Sequence, residues 1–166
     1  MVDNGLLVWD SAIEEINLDE IRNNSKKVES LLYESWEKLY IYKHIKYDLI
    51  MSFIMQIYLF IEKEISSFLS EKYKNRNLST LFSCIKVIEG EGKIFDENIK
   101  KKLDMYRNVI NVYKHGNGTS LEELKKNHIN ILNNCYDSKD LSFVFNLKYV
   151  SVDDLYETMN SLLCEF

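Results

Sequence analysis

The sequence predicts an all-α protein, and three of its features lead to that prediction. Its 166 residues include no proline, although average usage would supply roughly eight. The five glycines all lie outside the stretches in which apolar residues recur every three or four positions. Such spacing is typical of helices that bury one side. With no linker or repeat to divide it, the chain is expected to form a single helical domain over residues 1–166.

Two long helices are predicted in the first half of the chain. The first covers about residues 19–43, and its apolar stripe, expected to face the core, consists of Val28, Leu31, Leu32, Trp36, Leu39 and Tyr40. The second covers about residues 45–73, and its apolar residues are Leu49, Phe53, Ile57, Phe60, Ile61, Ile65 and Phe68. Because this apolar surface is wide, we expect the second helix at the centre of a bundle. Its most apolar stretch, residues 49–61, is shorter than the ~20 residues that cross a bilayer, so no membrane contact is predicted.

Capping residues predict two further helices in the middle of the chain. Ser79 is suited to cap a short helix over residues 80–89, because its hydroxyl can accept from a free amide of the first turn. Asp96 then begins a helix that ends near His115, where Gly116 supplies a left-handed stop. These two helices complete the predicted bundle up to residue 116.

The last third of the chain contains two helix starts and one extended segment. Ser120 and Glu123 have the spacing of a capping box for a short helix. Residues 141–150 alternate well enough to be extended, but no partner strand is identifiable. Ser151 caps a final helix. The fold prediction is therefore a helical bundle with a short extended segment near 141–150.

The net charge of −5 is concentrated at the two ends of the chain. Residues 1–20 hold six acids and no base, and residues 137–166 hold six acids and two lysines. Nucleic-acid binding requires neutralised phosphates, so this pattern favours a basic protein partner over direct nucleic-acid binding. The alternative is that both ends are solvated helix faces. The candidate partner-binding residues are Asp10, Glu14, Glu15, Asp19, Glu20, Asp153, Asp154 and Glu157.

Cysteine usage and the first residues indicate the compartment. Cys84, Cys135 and Cys164 are widely spaced, with no CxxC pair and no histidine at zinc-ligand spacing. We therefore expect buried free thiols and no metal site. No glycine-rich loop precedes a helix, and no cofactor is predicted. Because no basic region precedes an apolar stretch at the N-terminus, we expect a cytoplasmic protein.

A polar face interrupts the helix that ends at His115. At 100° per residue, Asn108, Asn111 and His115 fall within about 60° of one another. The stretch from Arg107 to Gly116 resembles the signature of the HEPN superfamily, all-α domains in which a helix carries Arg, a polar residue that is often Asn, and then His. Many members are metal-independent RNases of toxin–antitoxin, abortive-infection and CRISPR systems. The resemblance implies an acid–base role for the histidine and a phosphate-stabilising role for the arginine, usually paired across a dimer.

The arginine position departs from the family pattern. If Asn111 and His115 are aligned with the family's Asn and His, Ile110 occupies the arginine position, and if Arg107 is aligned, its spacing to His115 is one residue too long. A histidine followed by glycine is also an ordinary helix ending, favoured by the helix dipole. A fold kept without its activity is the simpler interpretation.

Two functional hypotheses follow. The favoured one is a non-enzymatic immunity or antitoxin protein, similar in size and charge to those of contact-dependent growth inhibition systems. It would block a nuclease toxin by covering the toxin's active-site cleft with acidic side chains. The alternative is a HEPN-type RNase toxin or abortive-infection protein that uses His115, Arg107 and Asn111. Homodimerisation is left open under both hypotheses.

Overall fold

The computed structural model describes residues 25–74, 78–133 and 143–166, with side chains from residue 29 onward. These ranges contain five α-helices, one 3-10 turn (Ile129–Ile131) and no strand, which confirms the all-α prediction. The α-helices are α1 (Ser25–Lys72), α2 (Leu81–Glu89), α3 (Glu97–His115), α4 (Thr119–Asn127) and α5 (Val152–Glu165). None of the described helices combines the length and apolarity that membrane crossing requires.

The contacts within the chain divide it into two compact units, Met1–Lys46 and Tyr47–Phe166. Each unit is described by itself below. Only residues 25–46 of the first unit belong to the described ranges. The single domain over residues 1–166 stays a prediction.

One helix, α1, occupies the region for which two helices were predicted. The predicted boundary at His44 is wrong, because the helix continues through it and the His44 Nδ1 lies 2.9 Å from the carbonyl oxygen of Tyr40 one turn earlier. The centres of the two rings lie 4.0 Å apart, with their planes tilted by 50°. Neither glycine nor proline occurs between Ser25 and Lys72, so no residue in this span favours a helix end. The predicted start of the first helix, near Asp19, lies outside the described residues.

The stripe predicted to face the core in the first unit is largely exposed. Trp36 is 69% exposed and Tyr40 is 58% exposed, and Leu31 and Leu32 are exposed as well. Leu39 is partly buried, and the Val28 side chain lies outside the described residues. The prediction that these side chains face the core is therefore wrong for the exposed members.

The second unit buries a different face of α1 from the predicted one. Its buried side chains on α1 are Tyr47, Met51, Ile54, Tyr58, Ile65 and Leu69. Of the predicted set, Ile65 is buried and Ile57 and Ile61 are partly buried, whereas Leu49, Phe53, Phe60 and Phe68 are exposed. Apolar residues lie on both sides of α1, so periodicity identifies the helix without identifying its buried face.

Local capping sets most of the other helix ends. Asp96 caps α3 by accepting a 2.6 Å hydrogen bond from the Asn98 amide, and Ser151 caps α5 by accepting a 3.1 Å bond from the Asp154 amide. Gly116 ends α3 with a positive φ of 75°. These three predictions are confirmed.

Two predicted caps are wrong. Thr80, not Ser79, caps α2, because its hydroxyl and that of Ser83 each accept from the other residue's backbone amide. The capping box predicted at Ser120 does not form. The helix α4 already begins at Thr119, so Ser120 lies inside it, and Gly118 occupies the N-cap position without a side-chain hydrogen bond. The Ser120 hydroxyl is consequently available to another partner.

The extended segment has a partner that the sequence did not reveal. Phe145 forms an isolated antiparallel bridge with Leu132, and the flanking Asn133 and Asn146 amides donate 2.8 Å bonds across the pair. The Tyr47 hydroxyl accepts a 3.2 Å bond from the Phe145 amide and joins this segment to α1. The bridge confirms extended backbone at Phe145. The extended prediction is wrong for Phe143, which has a positive φ of 58°, and for residues 147–149, which form a turn, and residues 141 and 142 lie outside the described residues.

The core of the second unit is centred on α3, which contacts α4 and α5. Leu103, Tyr106 and Val109 of α3 are fully buried. Cys84 is buried as predicted, and burial raises the pKa of its thiol. Cys164 is exposed, so its predicted burial is wrong, and Cys135 lies outside the described residues.

Candidate functional site

Arg107, the candidate phosphate-binding residue, is held by its own helix. Its Nη2 lies 2.6 Å from the Asp104 carboxylate one turn earlier, and its guanidinium carbon lies 4.8 Å from the centre of the Phe82 ring. Both charged side chains are about two-fifths exposed, at 45% and 39%. The positive charge of Arg107 therefore already has a carboxylate partner.

The same carboxylate also supports a buried amide. Asn108 is only 6% exposed, and its Nδ2 donates a 3.2 Å hydrogen bond to the second oxygen of Asp104. Asp104 thus joins the two neighbouring residues Arg107 and Asn108. Sequence reasoning missed this role, although a carboxylate three and four residues before two donors on a helix is a readable signal.

A buried hydroxyl from α1 lies in the field of these charges. Tyr58 is 2% exposed, and its hydroxyl has no hydrogen-bond partner in the described part of the chain. Burial raises its pKa, the Glu62 charge adds to that effect, and Arg107 opposes it. Glu62 itself accepts a 2.8 Å bond from the Leu81 amide at the start of α2.

The three residues of the catalytic hypothesis lie in three different surroundings. Asn111 points to α4, where its Nδ2 lies 3.4 Å from the Ser120 hydroxyl. His115 is the exposed last residue of α3, eight positions after Arg107, or roughly 12 Å along the helix axis. No hydrogen bond or ion pair joins any two of Arg107, Asn111 and His115 within the ranges that the structure describes.

The predicted acidic residues of α5 separate into two kinds. Asp154 is directed to the core, because it accepts a 2.8 Å hydrogen bond from the buried Tyr106 hydroxyl and pairs with Lys102. Asp153 and Glu157 are exposed and form no ion pair with any described residue. The other candidates, Asp10, Glu14, Glu15, Asp19 and Glu20, lie outside the described residues.

The exposed face of α5 combines these acids with apolar side chains. Tyr156, 63% exposed, lies between Asp153 and Glu157 in sequence, and Leu163 near the end of the helix is 48% exposed. At 100° per residue these positions share one side of the helix. The whole of α5 contains no lysine, arginine or histidine. We call this surface, formed by Asp153, Tyr156, Glu157 and Leu163, the α5 face.

A cleft of about 530 Å³ lies beside α3 and the end of α4. It is lined by Lys100, Lys101, Asp104, Asn127 and His128. Lys100 is already bonded to Glu89 at 2.7 Å, and Asn127 donates to Glu123 at 3.0 Å. Because Asp104 places a carboxylate among the lysines, the cleft has no uniform charge that would select a phosphate.

No cluster of three or more His, Cys, Asp or Glu side chains that could hold a metal ion occurs in the described ranges. The protein belongs to the all-α class, and its helices are compatible with a HEPN-like fold. No protein-family model matches the sequence, and comparisons with curated proteins and with solved structures likewise find no match.

Proposed function

We propose that this chain is a non-enzymatic immunity or antitoxin protein that binds a basic nuclease toxin and covers the toxin's active-site cleft in the cytoplasm. The observation that carries the proposal is the α5 face. There, the exposed carboxylates of Asp153 and Glu157 share one side of α5 with the exposed ring of Tyr156, in a helix that has no basic residue.

The chemistry of a nuclease cleft explains why such a face would bind it. A cleft that holds nucleic acid must be lined with basic side chains, because phosphate contacts supply most of the affinity. Exposed carboxylates on a helix that has no basic residue steer association with such a cleft and fix its orientation. An exposed tyrosine on the same face supplies the contact area of a typical binding hot spot.

The surroundings of Arg107 favour this proposal over the nuclease hypothesis. A catalytic arginine must present its charge to the phosphate in the transition state. Here the Asp104 carboxylate lies 2.6 Å from the guanidinium, so a phosphate would compete with a fixed negative charge.

Growth rescue tests the proposal. The chain is co-expressed with each member of a panel of basic nuclease toxin domains, including any nuclease encoded beside its own gene, and growth is followed. We expect rescue from at least one toxin, and we expect the double substitution Asp153→Asn and Glu157→Gln to abolish it. Rescue that survives this substitution, or a panel without any rescue, would count against the proposal.

A matched control separates the α5 face from overall acidity. The double substitution Glu122→Gln and Glu123→Gln on α4 changes the net charge from −5 to −3, as the α5 substitution does. Both α4 carboxylates are exposed and bond only within their own helix. We expect this control to rescue growth as the wild type does.

A further inference from the structure

The cleft beside α3 and the end of α4 presents a positive and a negative group on neighbouring turns of one helix. Lys101 supplies an exposed ammonium group, and Asp104 supplies a partly exposed carboxylate. The two residues are three positions apart on α3, so their Cβ atoms lie about 5–6 Å apart. Asn127 and His128 line the same cleft from the end of α4. A single small molecule can therefore contact both charges.

We propose that this cleft binds a free α-amino acid, whose carboxylate pairs with Lys101 and His128 and whose ammonium group pairs with Asp104. The cleft shares no residue with the α5 face of the proposed function. The two proposals can therefore fail independently.

Lys101 and His128 provide the contacts for the carboxylate of the ligand. The neighbouring Lys100 is held by Glu89 at 2.7 Å and by Glu97 at 2.5 Å. Lys101, in contrast, forms no ion pair with any residue in the described ranges. His128 follows the last residue of α4, and its ring can donate a hydrogen bond. An ammonium group and an imidazole in one cleft suit the two oxygens of a carboxylate.

Asp104 provides the acceptor for the ammonium group of the ligand. One of its oxygens bonds to Arg107 and the other to Asn108. An ionised carboxylate accepts about four hydrogen bonds, so each oxygen keeps a position for a further donor. Asn127 adds an amide oxygen, because its Nδ2 already donates to Glu123 at 3.0 Å. Acceptors and cationic donors thus line the same cleft.

The balance of charge favours an amino acid over simpler ions. The Asp104 carboxylate opposes a ligand with several negative charges, and the two lysines oppose a ligand with only a positive charge. A zwitterion carries one charge of each sign. The volume of about 530 Å³ lies within the usual range for small-molecule sites, so the side chain of the amino acid also fits. Because every lining residue is polar or charged, we expect that side chain to be polar.

NMR titration of the ¹⁵N-labelled full chain with each standard amino acid tests the proposal and locates the site. We expect at least one amino acid with a polar side chain to shift the amide signals of the cleft residues, with a dissociation constant of about 1 mM or lower. If no amino acid shifts those signals at about 20 mM, roughly twenty times that constant, the proposal is overturned.

Acetate and methylammonium test the requirement for both charges. Acetate carries only the negative charge and methylammonium only the positive one, so each makes half of the proposed contacts. We expect each ion to bind at least about tenfold more weakly than the amino acid. Acetate that binds as tightly as the amino acid would overturn the pairing of the ammonium group with Asp104.

Substitutions test the two charged contacts. We expect Lys101→Ala and Asp104→Asn each to weaken binding by at least about tenfold, because each removes one charged partner. Lys101 is exposed, so its substitution should leave the circular-dichroism signal unchanged. Lys114→Ala is the matched control, since Lys114 is exposed on the same helix and is not part of the cleft. Unchanged binding by Lys101→Ala, or equal weakening by Lys114→Ala, would overturn the assignment of the site to the cleft.

Discussion

The guanidinium of Arg107 lies 2.6 Å from the carboxylate of Asp104. The other oxygen of that carboxylate accepts a 3.2 Å bond from the buried amide of Asn108. One acid thus supports two residues of the HEPN-like stretch from within α3. Arg107 and Asn108 therefore have a structural role within α3.

Asp104 should couple more strongly to Asn108 than to Arg107. The Asn108 amide is buried and would lose an acceptor, which costs about 1–2 kcal/mol, whereas an exposed ion pair contributes less than about 1 kcal/mol. Double-mutant cycles with alanine, measured by urea unfolding, give both coupling energies. A larger coupling for Asp104 and Arg107 would contradict this interpretation.

Removing the hydroxyls of two buried tyrosines should change stability in opposite directions. Tyr58→Phe should be neutral or stabilising by up to about 1 kcal/mol, because its hydroxyl has no partner in the described part of the chain. Tyr106→Phe should cost about 1–2 kcal/mol, because that hydroxyl donates to Asp154 at 2.8 Å. Urea unfolding at neutral pH checks both variants. Equal losses would show that the Tyr58 hydroxyl is bonded in solution.

The same tyrosines should make the protein less stable at alkaline pH. Burial, then the bond to Asp154, raises the pKa of Tyr106, and burial raises that of Tyr58. In the unfolded chain both ionise near pH 10, while the folded chain keeps their protons. The stability that these two protonated hydroxyls contribute is therefore complete below about pH 10. Above that pH the free energy of unfolding falls by up to about 1.4 kcal/mol per pH unit for each tyrosine. The free energy of unfolding, measured from pH 9 to pH 11.5, should fall less steeply with pH in either Phe variant than in the wild type. The difference in slope should correspond to about one proton fewer released on unfolding.

The two neighbouring acids at the start of α5 should behave differently. Asp154→Ala should destabilise the protein by about 1–2 kcal/mol, because Tyr106 loses an ionised acceptor and Lys102 loses its partner. Asp153→Ala should cost less than about 1 kcal/mol, since it removes only a favourable interaction with the helix dipole. Thermal or urea unfolding of the two variants gives the comparison. Similar losses would mean that Asp153 is also part of the fold.

Local signals predicted the helix ends well. Asp96, Gly116 and Ser151 act within one turn of their own positions, so the sequence near each of them contains the necessary information. Ser79 failed as a cap because Thr80 forms a reciprocal capping box with Ser83 instead. The two candidates differ by a single position, which propensity does not resolve.

Long-range contacts were not predictable in the same way. The buried face of α1 depends on which of its two apolar sides meets the other helices, and both sides fit helical periodicity. The bond between Tyr106 and Asp154 joins residues 48 positions apart, and the bridge between Leu132 and Phe145 was hidden for the same reason. The stretch around Arg107 was found from the sequence, whereas the role of Asp104 became visible only from its two bonds.

Inducible expression in a susceptible bacterium, with growth and total RNA integrity followed, tests most directly whether this chain acts by binding or by cleavage. We compare the wild type with Arg107→Ala and His115→Ala. Because the charge of Arg107 is already paired with Asp104, we predict normal growth and intact RNA for all three proteins. Growth arrest and RNA degradation by the wild type, abolished by His115→Ala, would contradict the account.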